Sequence, residues 1–331
     1  MADVSWSRCG DTDCIRVGRL TGQATLQVRA ESAAAHLPPM AGTVVPDGED
    51  RCFVPRFAFV DGTTYRVVVD GVTAAVLVRP RPDLPATTEV LEIRPTATEV
   101  PRNFLRFYVC FSAPMADGYA AAHVRLLDHA GEPMAGALLP TEHELWDGDR
   151  RRLTVLLDPA RIKRGLVGHR ETGYPLRSGA SFRVVVDRDF RDARGAPLRA
   201  GADRRYEVGG DERRRVEPEG WSLSAPRSHS REPVVVRFDR PLDAALLGRC
   251  LQVAGPDGRR IAGTPELGPE ERSWRLAPEE AWAPAAHQLL VDPVLEDLAG
   301  NSVSRVFDRD LSRREDDPEV DQLVTLAFRP H

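Results

Sequence analysis

The chain has 331 residues, of which 42% are hydrophobic and 29% are charged, and its formal net charge is −5. This balance argues against a disordered chain and against a nucleic-acid partner held by overall charge. The 27 prolines, 26 glycines and 6% aromatic residues favour many short strands joined by turns. The length accommodates three domains of about 100 residues each.

The N-terminal segment lacks a basic region followed by an apolar stretch, the pattern of a secretory signal. No apolar run in the chain approaches the roughly 20 residues that a membrane-spanning helix needs. We therefore expect a cytoplasmic protein without a membrane span.

The five cysteines are scattered and odd in number, which is a poor framework for a disulfide-linked fold. Cys9 and Cys14 flank a turn, so a local disulfide and two free thiols both remain open, with free thiols favoured in a reducing compartment. Only Cys52 and His36 are conceivable further ligands, and this spacing is not a zinc signature. We therefore expect no metal site and no cofactor.

Three segments share one pattern, in which an aromatic or histidine precedes a run of aliphatic residues that ends in aspartate. They are residues 62–70, 179–187 and, more loosely, 285–292. We predict that each is the same strand of a recurring unit.

Two segments have the composition of linkers, the proline-rich residues 79–82 and the charged residues 209–215. They divide the chain into an N-terminal domain (1–82), a middle domain with an insertion (83–212) and a last domain (213–331). The short strands and the absence of helical stretches between them favour antiparallel β-sandwiches.

A strand with period-2 alternation is predicted near the start of the middle domain. Its inward residues would be Leu105, Phe107, Val109 and Phe111, and its more polar outward residues Arg106, Tyr108 and Cys110. We match Phe107 with Phe238 of the last domain as the inward aromatics of two copies.

Two acidic segments are candidate cation sites. Residues 187–192 carry three aspartates, but the Asp-x-x-Gly pattern recurs at residues 297–300, which favours a turn over a calcium site. The second segment offers Glu142, His143, Glu144 and Asp147 as weak candidates for a divalent metal or for acid–base chemistry. It matches no known spacing of metal ligands, so a solvated turn is the favoured interpretation.

The middle domain carries an insertion. The offset between the two copies is 120 at Leu156 and Leu276 but 105 at Asp192 and Asp297, which leaves 15 extra residues within residues 158–177. The insertion concentrates basic side chains, namely Arg161, Lys163, Arg164, His169 and Arg170, and Lys163 is the only lysine in the chain. Loops on a rigid scaffold often bind ligands, so we predict a site for an anionic or protein partner. The alternative is a solvated loop.

The motifs of the middle and last domains resemble the bacterial immunoglobulin-like domain first described in surface-layer proteins. The resemblance covers roughly residues 85–310. It rests on Arg106, Phe107, residues 112–115 and residues 184–187, and on Arg237, Phe238, Pro241, Leu242 and residues 297–301. It implies an all-β chain of three tandem immunoglobulin-like antiparallel β-sandwich domains, of the kind that serve as spacers or binding modules on exported proteins.

No Gly-x-Ser-x-Gly elbow, phosphate-binding loop or dinucleotide fingerprint is present in the sequence. We therefore predict a non-catalytic binding or scaffold protein. The alternative is an enzyme of unassigned type, possibly metal-dependent, with its site at the insertion and the acidic turn at residues 142–149.

Overall fold

The computed structural model describes residues 3–20, 24–31, 38–80, 84–141, 143–309, 313, 316 and 322–331. The chain divides into two compact units, Met1–Leu84 and Pro85–His331. The first unit holds one β-sandwich and the second holds two. The predicted boundary at residues 82 and 83 lies outside the described residues.

The sandwich of the first unit has a four-stranded sheet, β1-β2-β5-β4, and a three-stranded sheet, β3-β6-β7. Its strands are β1 (Val4–Cys9), β2 (Thr12–Val17), β3 (Leu26–Ala30), β4 (Gly42–Asp47), β5 (Asp50–Pro55), β6 (Thr64–Val69) and β7 (Val72–Val78). Ile15, Phe53 and Tyr65 lie in the core between the sheets.

The middle sandwich pairs a sheet of order β12-β13-β10-β8 with a sheet of order β11-β14-β15-β9. Its strands are β8 (Val90–Arg94), β9 (Glu99–Val100), β10 (Arg106–Phe111), β11 (Val124–Asp128), β12 (Leu145–Trp146), β13 (Arg152–Leu156), β14 (Ser181–Val186) and β15 (Ala202–Val208). Three short helices interrupt them, α1 (Ala120–His123), α2 (Pro159–Ile162) and α3 (Val167–Thr172). All strand pairs are antiparallel except β9 with β15.

The last sandwich pairs a sheet of order β16-β17-β20-β19 with a sheet of order β18-β21-β22. Its strands are β16 (Ser222–Ser224), β17 (Val234–Arg237), β18 (Leu251–Ala254), β19 (Gly263–Leu267), β20 (Ser273–Pro278), β21 (His287–Val291) and β22 (Val324–Phe328). Its helix is α4 (Ala244–Cys250), and two 3-10 turns span Pro218–Gly220 and Pro269–Glu271.

The repeated sequence pattern corresponds to one structural position. Its three copies form β6, β14 and β21, each an inner strand of the second sheet of its sandwich. Tyr65, Phe182 and His287 occupy the first inward position of these strands and are all buried. The prediction of an all-β chain of three tandem immunoglobulin-like sandwiches is therefore confirmed.

The Asp-x-x-Gly segments are turns, as predicted. One carboxylate oxygen of Asp192 accepts hydrogen bonds from the backbone N–H groups of Arg194 and Ala196, and Asp297 accepts the matching pair. The glycine of the second turn, Gly300, has a φ of 80°. A Cβ atom there would lie 2.5 Å from a methyl group of Leu105, so both the backbone and the packing require glycine.

Strand β10 shows the predicted alternation, because Leu105, Phe107, Val109 and Phe111 are all buried. The pairing of Phe107 with Phe238 is wrong. Phe111 is the counterpart of Phe238. The backbone N–H of Phe111 donates to the carbonyl oxygen of Arg151, the residue before β13, and that of Phe238 donates to the carbonyl oxygen of Arg272, the residue before β20. The Arg-Phe dipeptide lies at the start of β10 but at the end of β17, which is two residues shorter.

The outward face of β10 is covered by the last domain. Asp243 accepts hydrogen bonds from Arg106 Nε at 2.7 Å and from the Tyr108 hydroxyl at 2.6 Å. Arg94 donates to the fully buried Glu271 at 2.8 Å. These contacts join the two sandwiches of the second unit, and we call them the joint.

The segment predicted as a linker, residues 209–215, is part of the joint. Glu212 exchanges two hydrogen bonds with Asn103, through its backbone N–H and C=O, and its C=O also accepts from Asn301. Arg102 binds Asp211 at 2.7 Å and 3.0 Å. The domain boundary between residues 212 and 213 stays a prediction, but the segment before it is packed against both sandwiches.

Within the described part of the chain, no helix is long and apolar enough to cross a membrane.

Candidate functional site

The insertion of the middle domain is folded against the core. Its residues form α2 and α3, and Ile162 and Leu176 are buried in the hydrophobic core of the middle sandwich. Asp158 caps α2 by accepting a hydrogen bond from the N–H of Ala160. Apolar residues within a basic stretch thus anchor a segment that the sequence alone presents as an exposed loop.

Arg161 holds the insertion together. Its guanidinium donates to the carbonyl oxygens of Gly136, Gly173 and Tyr174 at 2.8–3.0 Å. The Nδ1 atom of His169 lies 2.5 Å from the carbonyl oxygen of Arg161, and its ring packs edge-on against Tyr174. Two of the five predicted binding residues therefore maintain the shape of the insertion.

Lys163 and Arg164 connect the insertion to the last domain. The Lys163 ammonium lies 4.4 Å from the ring centroid of Phe307, and Arg164 Nε donates to Asp308 at 2.9 Å. Asp308 also pairs with Arg213. These two basic residues therefore contribute to the joint. Asp308 compensates the charge of Arg164, and the Lys163 ammonium stacks on the ring of Phe307.

Arg170 differs from the other four. It is exposed on α3, and no hydrogen bond or ion pair of its side chain occurs within the described residues. It follows the exposed apolar residues Leu166 and Val167. Of the five predicted binding residues, Arg170 is therefore the one whose charge remains open to a partner, and the predicted binding role of the whole set stays a prediction.

Acid is expected to weaken the joint at Asp308. Burial raises the pKa of this carboxyl, but hydrogen bonds from Arg213 and Arg164 outweigh it and hold the pKa below its ordinary value. The stabilisation is present above about pH 4 and is lost as the pH falls through the lowered pKa. Asp308→Asn should lower the thermal unfolding midpoint at pH 7, and its difference from the wild type should shrink towards pH 3.

The exposed Asp149 offers a matched control, since Asp149→Asn should leave the midpoint unchanged at both pH values. A difference between Asp308→Asn and the wild type that stays constant from pH 7 to pH 3 would contradict the ionised state of Asp308.

The acidic turn uses its carboxylates for local structure. Glu144 accepts from the Ala120 N–H at 2.5 Å and from the Trp146 indole at 2.7 Å. Asp147 accepts from the N–H groups of Arg151 and Arg152. His143 is exposed, and Glu142 lies outside the described residues. Among the residues that are described, this turn contains no group whose ligand atoms converge on one ion.

A cleft of about 660 Å³ lies beside this turn. The chain pairs with β13 at Leu138 and Leu139, leaves it, and rejoins it at Leu145 in β12. Among the described residues in between, none pairs with β13, and a gap lies between the strand and helix α1. The cleft occupies this gap at the edge of the middle sandwich.

The lining of the cleft is mixed, with only slightly more apolar than polar surface. Its aliphatic residues are Val124, Leu138, Leu139, Leu145, Leu153, Val155 and Leu156, together with Ala120 and Ala121 of α1. Asp117, His143 and Glu144 add polar groups. A cleft of this size with both apolar and polar lining is suited to an apolar side chain with a polar neighbour, or to a small ligand. Sequence reasoning singled out His143 and Glu144 but not Asp117, and it missed the cavity.

A second cleft of about 390 Å³ lies between the middle and last sandwiches. Its charged residues are engaged with each other, because Arg240 Nε lies 3.1 Å from Asp297 and its guanidinium also faces Glu212. Burial raises the pKa of Asp297 to about 6, against the opposing effect of Arg240. The charges of this inter-domain cleft stabilise the joint.

No protein-family model and no curated protein matches the chain. Among solved structures, the I9-I11 tandem from titin aligns over 89% of this chain and 97% of its own, with 10% identity and a TM-score of 0.18. A fragment of native alpha-2-macroglobulin from Escherichia coli aligns over 73% and 71%, with 9% identity and a TM-score of 0.25. The FN1-FN3 domains of chicken CNTN1 align over 99% and 98%, with 11% identity and a TM-score of 0.21. These values assign neither a family nor an activity.

Proposed function

We propose that the chain is a non-catalytic binding module, in which the cleft of the middle sandwich takes an apolar side chain from a protein partner. The partly aliphatic cleft of about 660 Å³ is the observation that carries this proposal. The exposed Asp117 in its lining favours a partner segment with a basic residue next to the apolar one.

The rest of the second unit supports a scaffold role. Charged side chains are paired in the joint, including Arg106 with Asp243, Arg94 with Glu271 and Arg213 with Asp308. Ion pairs that are largely removed from water hold their partners in one geometry. The middle sandwich, which carries the cleft, is therefore held rigidly against the last sandwich.

Closing the cleft tests the proposal. Ala121 is exposed and lines the cleft, so Ala121→Phe should fill the cavity while leaving the fold intact. Peptides selected on the full-length protein from a random library should carry an apolar residue beside Lys or Arg. Ala121→Phe should weaken their binding by tenfold or more, which is about 1.4 kcal/mol, as measured by calorimetry.

The matched control is Ala122→Phe, which places the same ring on the next residue of α1, outside the lining of the cleft. It should bind the selected peptides within about twofold of the wild type. Equal binding by both variants and the wild type would place the peptide elsewhere and contradict the proposal.

An anionic partner at the insertion is a second candidate, favoured by the exposure of Arg170. Arg170→Glu should weaken binding to an acidic probe such as heparin and leave the unfolding midpoint unchanged, because the side chain is exposed and has no hydrogen bond or ion pair within the described residues. Arg164→Glu should lower the midpoint instead, because it removes the contact to Asp308. Heparin binding that is unaffected by Arg170→Glu would remove this candidate.

Three finer assignments are also proposals. The relation to surface-layer immunoglobulin-like domains rests on the sequence motifs alone. The cytoplasmic location rests on the scattered cysteines, which are odd in number. The enzyme alternative has less support than the binding module, because Glu144 and Asp147 are engaged in local hydrogen bonds.

A further inference from the structure

Three of the five cysteines meet in the first unit. The sulfur atoms of Cys9, Cys14 and Cys52 all lie within 4.8 Å of one another, and we call these three side chains the thiol cluster. Cys9 is at the end of β1, Cys14 is in β2 and Cys52 is in β5, which are three adjacent strands. His36, the other ligand that the sequence offers, lies outside the described residues.

The register explains how these distant residues meet. Ser7, two residues before Cys9, pairs with Cys14 across β1 and β2. Arg16, two residues after Cys14, pairs with Cys52 across β2 and β5. Side chains two residues apart in a strand share a face, so the three thiols lie on one face of the sheet. The residues that follow Cys14 and Cys52 in sequence point to the opposite face and into the core.

The sulfur atoms of Cys9 and Cys14 are in direct contact, 2.7 Å apart. Unbonded carbon atoms pack at about 3.5–4.0 Å, and sulfur is a larger atom. Structural zinc takes four ligands, and within the described residues no fourth ligand atom joins the three sulfurs. The contact therefore suits two sulfurs that bond to each other, as in a disulfide.

Access to the cluster is one-sided. Cys9 is partly exposed at the end of its strand, whereas Cys14 and Cys52 are fully removed from solvent. Burial raises the pKa of the Cys14 thiol above its ordinary range, so Cys14 is a neutral thiol at neutral pH. A dissolved disulfide can therefore react first with Cys9 alone, and Cys14 reacts afterwards with whatever Cys9 has bound.

Cys52 is held as a thiol by its neighbours. It donates a hydrogen bond to the Asp47 carboxylate, with a sulfur–oxygen distance of 3.7 Å. Burial raises its pKa to about 11, and the negative charge of Asp47 acts in the same direction. Cys52 is therefore the member of the cluster that stays reduced when the other two react.

We propose that Cys9 and Cys14 are a redox-responsive pair of thiols, which a small disulfide such as oxidised glutathione converts to a disulfide across the β1–β2 hairpin. The thiolate of Cys9 attacks one sulfur of oxidised glutathione, which forms a mixed disulfide and releases one glutathione. Cys14 then loses its proton and attacks the sulfur of Cys9, which releases the second glutathione. Two protein thiols are oxidised, one dissolved disulfide is reduced, and the two protons end on the released glutathione thiols.

The test is peptide mapping of the reduced full-length protein after incubation with excess oxidised glutathione, unfolding and alkylation. Trypsin cleavage after Arg8 and Arg16 releases residues 9–16, which contain Cys9 and Cys14 and no other cysteine, while Cys52 falls in residues 52–56. We expect residues 9–16 to lose two hydrogens and Cys52 to carry the alkyl group. At early times glutathione should be found on Cys9.

Matched variants test the order of the two steps. Cys14→Ser should keep glutathione on Cys9 for about tenfold longer than in the wild type or more, because no contacting thiol displaces it. Cys110→Ser removes a partly buried thiol from the middle domain and should leave the closure unchanged. Circular dichroism verifies that both variants fold, and the time course of the wild type tests the same order without any substitution.

The closed hairpin should also be more stable. A disulfide restricts the unfolded chain, so the oxidised protein should show an unfolding midpoint of the first unit about 5 °C higher than the reduced protein, or more. The same treatment should not raise the midpoint of Cys14→Ser.

Three results would overturn the proposal. The first is glutathione that stays on Cys9 of the wild type without closure to Cys14. The second is a disulfide that includes Cys52. The third is a treated protein in which Cys9 and Cys14 both remain free and are alkylated.

Discussion

Phe107→Ala is expected to lower the free energy of unfolding of the second unit by about 3–5 kcal/mol. Phe107 is fully buried on β10, an inner strand of its sheet, and its ring lies in the core between the two sheets of the middle sandwich. Its truncation removes a large apolar surface from the core and leaves a cavity that flanking strands cannot fill. Urea unfolding followed by fluorescence would measure the change.

The exposed Leu91 of the neighbouring strand β8 is the matched control, because Leu91→Ala should change the same quantity by less than about 0.5 kcal/mol. Phe238→Ala should reproduce the large effect in the last sandwich, where Phe238 packs edge-on against Trp221. Small losses for both phenylalanines would mean that the inward face of these strands is wrongly assigned.

The fold was largely predictable because it depends on local patterns. Period-2 alternation identified the inward face of β10, and the recurring aliphatic run identified β6, β14 and β21 as one strand position. The match of Phe107 with Phe238 failed because a dipeptide does not reveal how long a strand is. Only the pairing of Phe111 and Phe238 with their neighbours shows which residues are equivalent.

The joint was not predictable from alternation. Arg106 and Tyr108 occupy outward positions, and a sequence pattern cannot distinguish a face in water from a face covered by another domain. Their partner Asp243 is more than 130 residues away along the chain. For the same reason the basic insertion looked like a free binding loop, although Arg164 contacts Asp308 of the last sandwich.

The thiol cluster shows a similar limit. Cys9 and Cys14 are close in sequence, but Cys52 joins them only through the register of β2 with β5. The spacing of the cysteines along the sequence does not reveal that register. The cleft beside the acidic turn also escaped prediction, because it depends on where the chain leaves and rejoins β13.

Asp243→Ala should have an effect as large as that of Phe107→Ala, about 3–5 kcal/mol in the free energy of unfolding. The Asp243 side chain is 2% exposed and accepts four hydrogen bonds. Two come from the N–H groups of Ala245 and Leu246, which it caps at the start of α4, and the other two come from Arg106 and Tyr108 across the joint. The cap alone accounts for about 1 kcal/mol, and most of the remaining loss comes from donors left buried without their acceptor.

A double-mutant cycle with Tyr108→Phe separates the joint from the cap. Tyr108→Phe removes the hydroxyl that Asp243 accepts but leaves the cap of α4 in place. If the joint carries the effect, the two substitutions should be strongly non-additive, with a coupling free energy of about 1–3 kcal/mol. The pair Asp257→Ala and Tyr108→Phe is the control, because Asp257 lies in an exposed turn and should be additive with Tyr108. Additive losses for Asp243 and Tyr108 would mean that Asp243 acts only as a helix cap, and that the ion pairs between the sandwiches do not hold the second unit together.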